Sequence, residues 1–149
     1  MILKRQLDEK LGEILIRNGN ISDEQLDKAL DFQKREGGLL GEVLSKLGYV
    51  KELEIVQALT AQYGFPYIPL ESYELNKKCA EVVSEDLARQ HNLVPLDVIG
   101  GLLTVAMSNP LNKKSVEETE SVTGKKIQIF ISTASSINNS INELYRKEE

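Results

Sequence analysis

The sequence has no tryptophan, one cysteine (Cys79) and one histidine (His91), and aromatic residues make up only 5% of it. A lone cysteine excludes an intrachain disulfide framework and suits a reducing compartment. Cys79 and His91 stand twelve residues apart, which is not a metal-ligand spacing, so no metal site is expected. Distance in sequence does not exclude a Cys/His nucleophile pair, but a buried thiol and a surface histidine are the simpler expectation. No apolar run approaches the ~18 residues of a membrane span, and the opening MILKRQLDEK lacks the apolar core of a signal peptide.

Basic charge is also short. Eighteen Lys and Arg against 23 Asp and Glu give a net charge of −5. The deficit is shared, with 9 against 11 in residues 1–70 and 9 against 12 in residues 71–149. Neither half offers the basic face that a nucleic acid or an anionic membrane surface would need. There is no G-x-x-x-x-G-K-[ST] phosphate loop and no G-x-G-x-x-G. The chain itself is therefore expected to be no enzyme.

The 149 residues are 41% hydrophobic and 28% charged, enough for one domain or two small ones. Their organisation shows in an internal repeat. Residues 10–33, KLGEILIRNGNISDEQLDKALDFQ, align without gaps to residues 39–62, LLGEVLSKLGYVKELEIVQALTAQ, with 8 identities in 24 positions. A five-residue spacer, KREGG, separates them. Each copy reads as a helical hairpin: a short helix from the Leu-Gly pair to Gly19 or Gly48, then a longer one. Ser22 with Gln25 forms a capping-box pattern, whereas Lys51 is a poor cap that Glu52 and Glu54 partly offset through the helix dipole. The second helices are expected to reach about Arg35 and Tyr63, before Gly37-Gly38 and Gly64.

Residues 65–75, FPYIPLESYEL, read as a Pro-containing connector in which Phe65, Tyr67 and Ile68 are expected to pack the two halves together. Beyond it the pattern changes. Residues 78–91 are weakly helical, and Val94–Ile99 and Leu102–Met107 flank Gly100-Gly101 as a β-hairpin. Ser115 with Glu118 suggests a capping box opening a helix that Gly124 closes. IQIFIS at 127–132 alternates as a strand. Ile137, Ile141, Leu144 and Tyr145 line one face of a terminal helix. The charged runs KREGG and 117–120 read as solvated faces. The expected fold is α+β: a double helical hairpin (1–64), a connector (65–76), and a small three-stranded sheet with covering helices (77–149).

The repeats also hold the candidate site. Leu26, Ala29, Leu30 and Gln33 share one helical face, and Ile55, Ala58, Leu59 and Gln62 repeat it. A glutamine thus ends the apolar stripe in both copies. Either each stripe simply reaches solvent there, or the amides await a ligand. The Leu-Gly pairs are equally two-sided. Gly12 and Gly41 would permit close helix packing, or they would admit a ligand to the backbone, with neighbouring free N–H groups attracting an anion.

The paired pattern Leu-Gly-x-x-[LIV]-[LIV]-x-x-Gly-x-[LIV], followed by a helix ending A-L-x-x-Q, resembles the N-terminal domain of type II secretion and type IV pilus assembly ATPases. This is the GspE/PilB family, whose c-di-GMP-binding version is the MshEN domain. VPL, LLTVAMSNP and TGKKIQIFIST are similar to its second half, so the resemblance covers nearly the whole chain. It implies that Leu11, Gly12, Leu26, Leu30 and Gln33 of one motif, and Leu40, Gly41, Ile55, Leu59 and Gln62 of the other, contact one c-di-GMP. Lys10, Leu39 and Asn109 stand at three further ligand positions, where the binding family has Arg, Arg and Asp. A lysine cannot reproduce a planar guanidinium contact, and leucine carries no charge. These three departures favour the secretion branch, which implies a docking module for the cytoplasmic domain of a GspL-like inner-membrane platform protein, with c-di-GMP binding as the alternative. On either branch the resemblance implies an ATPase core in the same parent chain, which alone would use ATP and Mg, and a cytoplasmic place at the inner membrane held through partners.

Overall fold

Glycines at matching places in the two copies set the first half of the fold. Gly19 and Gly48 take φ +77° and +78°, the left-handed conformation that glycine adopts without steric cost. Each ends a helix with the same turn. Gly19 N–H reaches Ile16 O and Asn20 N–H reaches Leu15 O; 29 residues on, Gly48 N–H reaches Ser45 O and Tyr49 N–H reaches Leu44 O. The computed structural model describes residues 4–146, with side chains from residue 11 onward. It divides into two compact units, Met1–Gly64 and Phe65–Glu149.

The first unit is helical: α1 (Lys4–Arg17), α2 (Asp23–Glu36), α3 (Leu40–Lys46) and α4 (Glu52–Tyr63). Ser22 caps α2 with both halves of a capping box, Gln25 N–H to Ser22 Oγ at 3.1 Å and Ser22 N–H to Gln25 Oε1 at 3.0 Å. At α4 Lys51 supplies no acceptor, but Glu54 Oε1 accepts the Lys51 N–H at 2.9 Å. The core is built from repeat-equivalent pairs, Ile14 with Val43, Leu15 with Leu44, Ile21 with Val50 and Ala29 with Ala58, all buried. The repeat is therefore a packing device first: the same positions of both hairpins meet in one apolar interior. One expectation fails. α1 starts seven residues before Leu11 rather than at it, because the preceding RQLDEK holds no glycine or proline to stop a helix.

The second unit carries α5 (Glu85–His91), β1 (Leu93–Ile99), β2 (Leu102–Met107), α6 (Lys113–Thr123), β3 (Lys126–Ile131) and α7 (Ala134–Leu144), after two 3-10 turns at Leu70–Ser72 and Lys77–Glu81. The sheet order is β1-β2-β3. β1 and β2 pair antiparallel across Gly100-Gly101, Ile99 opposite Leu102, and β2 and β3 pair parallel through the α6 crossover. Leu103, Val105, Ala106 and Met107 bury the central strand on both faces. Ile137, Ile141 and Leu144 of α7 fill that core. The fold is α+β, a helical repeat followed by a three-stranded sheet with helices.

The segment after Gly64 is part of the second unit. Ile131 N–H donates to Pro66 O at 2.8 Å and Ile68 N–H to Ile131 O at 3.1 Å, so 66–68 lies beside β3. Ile68 packs into the second unit's core, while Tyr67 is exposed.

A second correction concerns α6. Its cap is Asn112, whose side chain accepts the Ser115 N–H at 3.2 Å. Ser115 lies a turn inside, buried, with its hydroxyl 2.7 Å from His91 Nδ1. Glu118 faces the other side of that ring, Oε2 at 3.3 Å from Nε2, too poorly aligned for a hydrogen bond. His91 is thus no surface residue; its side chain is 6% exposed. Nor is 117–120 merely a solvated face, since Thr119 is buried and Glu120 accepts the Ile127 N–H at 3.0 Å.

Candidate nucleotide site on the helical repeat

The Leu-Gly pairs are contact points between helices. A Cβ on Gly12 would stand 2.9 Å from Leu26 Cδ1, so α1 and α2 approach as closely as a missing side chain allows. A Cβ on Gly41 would stand 3.4 Å from Ile55 Cδ1 and 3.6 Å from Leu11 Cδ2. Leu26 and Ile55 are repeat-equivalent, and each sits on the glycine of its own hairpin. Of the two readings left open by the sequence, close packing is what these glycines do here. The anion reading loses half its basis, because Gly12 lies inside α1 where its N–H belongs to the helix ladder.

The named residues separate by depth. Leu40 is 0% and Leu59 4% exposed, so both belong to the core. Their repeat partners Leu11 and Leu30, together with Leu26 and Ile55, are half-buried and pack against the core from outside, and Leu39 is half-buried as well. Copy two therefore lies deeper than copy one at these two leucine positions, and the pseudo-symmetry is broken at the surface. The side chain of Lys10 lies outside those described. Asn109 belongs to the second unit, half-buried between β2 and α6, where its carbonyl accepts the Asn112 N–H at 3.4 Å.

The two glutamines differ in the opposite sense. Gln33 is half-buried and donates from Nε2 to Gly38 O at 3.0 Å, inside the spacer. Gln62 is exposed and accepts, through Oε1, from Arg17 Nη2 at 2.7 Å. Arg17 is a residue that the sequence did not single out. It occupies the last turn of α1, where a cation also suits the carboxyl end of a helix. A second bond joins the copies: Asn20 Nδ2 donates to Glu54 Oε2 at 3.0 Å. No local pattern marks either link, since each spans more than thirty residues.

Elsewhere the chemistry is quiet. Cys79 is a free, buried thiol, and burial followed by the Asp97 charge raises its pKa, so the reactive thiolate is disfavoured. Among the described residues no group of three or more His, Cys, Asp and Glu could hold a metal ion. No described helix is long and apolar enough to cross a membrane.

Comparison with known proteins fits this architecture. The MshEN domain model matches residues 63–149. The match lies on the sheet-containing half, while the repeat precedes it. Two type IV pilus assembly ATPases named PilB extend the likeness to the repeat. That of Myxococcus xanthus is 32% identical over 139 residues, covering 93% of this chain and 25% of the relative. That of Thermus thermophilus is 33% identical over 130 residues, covering 86% and 15%. The chain thus spans a quarter or less of these relatives' length. Among solved structures, MshE with cdg (c-di-GMP) superposes at a TM-score of 0.74 and 26% identity, covering 91% of this chain and 98% of that one. The N-terminal domain of XpsE superposes at 0.75 with 20% identity, covering 95% and 96%, and so shares the fold. Matched by the family model over its second unit and by these relatives over nearly its whole length, the chain belongs to the MshEN domain family, the N-terminal domains of type II secretion and type IV pilus assembly ATPases.

Proposed function

We propose that this chain is a non-catalytic regulatory domain of a secretion or pilus ATPase, and that its helical repeat binds c-di-GMP. The observation that carries the reading is the surface of the repeat. Half-buried Leu11, Leu26 and Leu30 of one hairpin and Leu39 and Ile55 of the other lie on two repeat-related hairpins, each with a glutamine in the last turn of its second helix. Flat apolar contacts suit purine rings, amides suit their polar edges, and a doubled unit suits a ligand with two equivalent halves. The likeness to MshE, whose structure contains c-di-GMP, supports it. Ligand would bias the orientation of an ATPase core in the parent chain, and that core would use ATP and Mg. The proposed setting is the cytoplasmic face of the bacterial inner membrane, reached through partners. Calorimetric titration of the 149-residue chain tests the reading. Binding that is lost in Gln33→Ala and Gln62→Ala supports it, and no heat at ~100 μM ligand refutes it.

A second reading, docking to the cytoplasmic domain of a GspL-like platform protein, is favoured by α4. Leu53 is 45% exposed there, and Tyr63 is exposed as well, apolar surface that the core of the unit leaves uncovered. Leu53→Asp would abolish co-purification with such a partner while leaving nucleotide binding intact.

A further inference from the structure

We infer that Arg17, which belongs to neither repeat motif's glycine or glutamine positions, is a specificity-determining residue of the nucleotide site and selects a guanine over an adenine at the copy-two end. The inference rests on the c-di-GMP reading above. Its basis is the 2.7 Å bond from Arg17 Nη2 to Gln62 Oε1.

A glutamine amide is ambiguous by nature: carbonyl and NH2 exchange places on a half-turn of the last torsion. Left to itself, Gln62 could offer one acceptor and one donor, the pair that matches the N6 amino group and N7 of adenine. Arg17 removes that freedom. With Oε1 committed to the guanidinium, Gln62 presents the donors of Nε2, and the remaining Arg17 N–H groups are donors too. Arg17 takes up one Oε1 lone pair and fixes the amide's orientation, so the face the two side chains present is rich in donors and carries the guanidinium charge. Guanine offers two acceptors, O6 and N7, on its Hoogsteen edge, whereas adenine sets an amino donor where O6 would be. The face therefore fits guanine and opposes adenine.

Charge points the same way. Position 39, where the binding family has Arg, is Leu39, so copy two lacks a guanidinium from its own motif. Arg17 reaches this end from α1 of copy one and supplies a planar fork.

The test is titration of the full 149-residue chain with c-di-GMP and, separately, with c-di-AMP. Wild type should prefer c-di-GMP. Arg17→Ala should weaken c-di-GMP by about tenfold or more and change c-di-AMP by less than about threefold, so that the preference collapses. Arg17→Lys keeps the charge without the fork and should resemble Arg17→Ala. Gln62→Glu keeps a partner for Arg17 but removes the amide donors, and should show the same loss. Arg17 and Gln62 are exposed, so thermal melts of all three variants should match wild type and separate binding from folding. If wild type binds c-di-GMP and Arg17→Ala binds it equally well, the role of Arg17 is overturned and the c-di-GMP reading stands. Equal losses for both nucleotides would overturn the selection of guanine in favour of a phosphate contact. If wild type binds neither, both readings fall together.

Discussion

Leu26 presses its Cδ1 to within 2.9 Å of the place a Cβ on residue 12 would take, whereas the equivalent Ile55 leaves 3.4 Å at residue 41. Two glycines at matching repeat positions therefore carry different constraints. At Gly12 an alanine must push aside the methyl tips of Leu26, a flexible and half-buried side chain, so the cost falls at the low end of the about 1–3 kcal/mol of overpacking. Gly12 also lies inside a 14-residue helix, where alanine recovers about 1 kcal/mol of propensity. Gly12→Ala should thus be close to neutral, the two terms offsetting at about 1 kcal/mol each, while Gly41→Ala, with room for its methyl, should be stabilising. Thermal unfolding of the two variants side by side measures the contrast. Equal effects would mean that the repeat packs symmetrically after all.

The cap of α6 supplies a second comparison. Asn112→Ala removes the acceptor of the Ser115 N–H and should cost about 1 kcal/mol. Ser115→Ala removes the hydroxyl 2.7 Å from His91 Nδ1 and leaves a buried ring nitrogen without its partner, at about 1–3 kcal/mol. Chemical denaturation distinguishes the roles. A neutral Asn112→Ala would return the cap to Ser115.

These residues show where sequence reasoning reaches and where it stops. The hairpin turns, the Ser22 cap, the helix ends at Gly37 and Gly64, and both strands of the β-hairpin follow from local patterns, because local sterics and hydrogen bonds decide them. Ser115-x-x-Glu118 has the same local form and misleads. Asn112 stands one turn earlier and is an equally good cap, and Ser115 is instead engaged by His91, twenty-four residues away, with Glu118 on the far side of the ring. The start of α1 was missed for the opposite reason: nothing in the sequence stops the helix before Leu11. At the candidate site, the apolar face and both glutamines are legible from spacing. The Arg17–Gln62 bond depends on how the two hairpins are laid together, which periodicity does not encode.

Alkaline pH probes the second unit. Burial, with smaller contributions from Cys79 and Glu85, pushes the Tyr145 hydroxyl up to about 12 from 10.0. That hydroxyl donates to Val83 O at 2.6 Å, a bond that needs its proton. Between those two values the unfolded chain has lost the proton and the folded chain has kept it. The unfolded state then binds fewer protons, so stability falls as pH rises. The contribution is complete below pH 10 and is lost as pH climbs toward 12. Because Tyr145 is only half-buried, solvent screening holds the loss to roughly 2 kcal/mol at most. Tyr73, raised mainly by burial and bonded to Leu96 O at 3.0 Å, adds in the same direction. Thermal melts from pH 8 to 11.5 should therefore decline, and Tyr145→Phe should flatten the decline while lowering stability at pH 8. An unchanged slope in that variant would assign the alkaline loss elsewhere.

If the repeat binds c-di-GMP, the three positions that depart from the binding pattern should limit its affinity, and restoring them should raise it. Leu39 is half-buried at the N-cap of α3 with extended backbone and no side-chain cap bond, so an arginine there has no local bond to break. Leu39→Arg adds a charge-assisted donor worth about 1.5–3 kcal/mol, a gain of roughly ten- to a hundredfold. Lys10→Arg replaces a point charge with a planar fork and should act in the same direction. Asn109→Asp exchanges an amide with one carbonyl acceptor for a carboxylate that can accept both N–H groups of a guanine edge. Its effect depends on whether the second unit contributes to the ligand contact at all, so it serves as a separate measurement. A gain from Leu39→Arg without one from Asn109→Asp would assign binding to the helical repeat alone. Gains from both would give the second unit a share of the ligand. No gain from Leu39→Arg, in a chain shown to bind, would mean that position 39 lies outside the ligand contact.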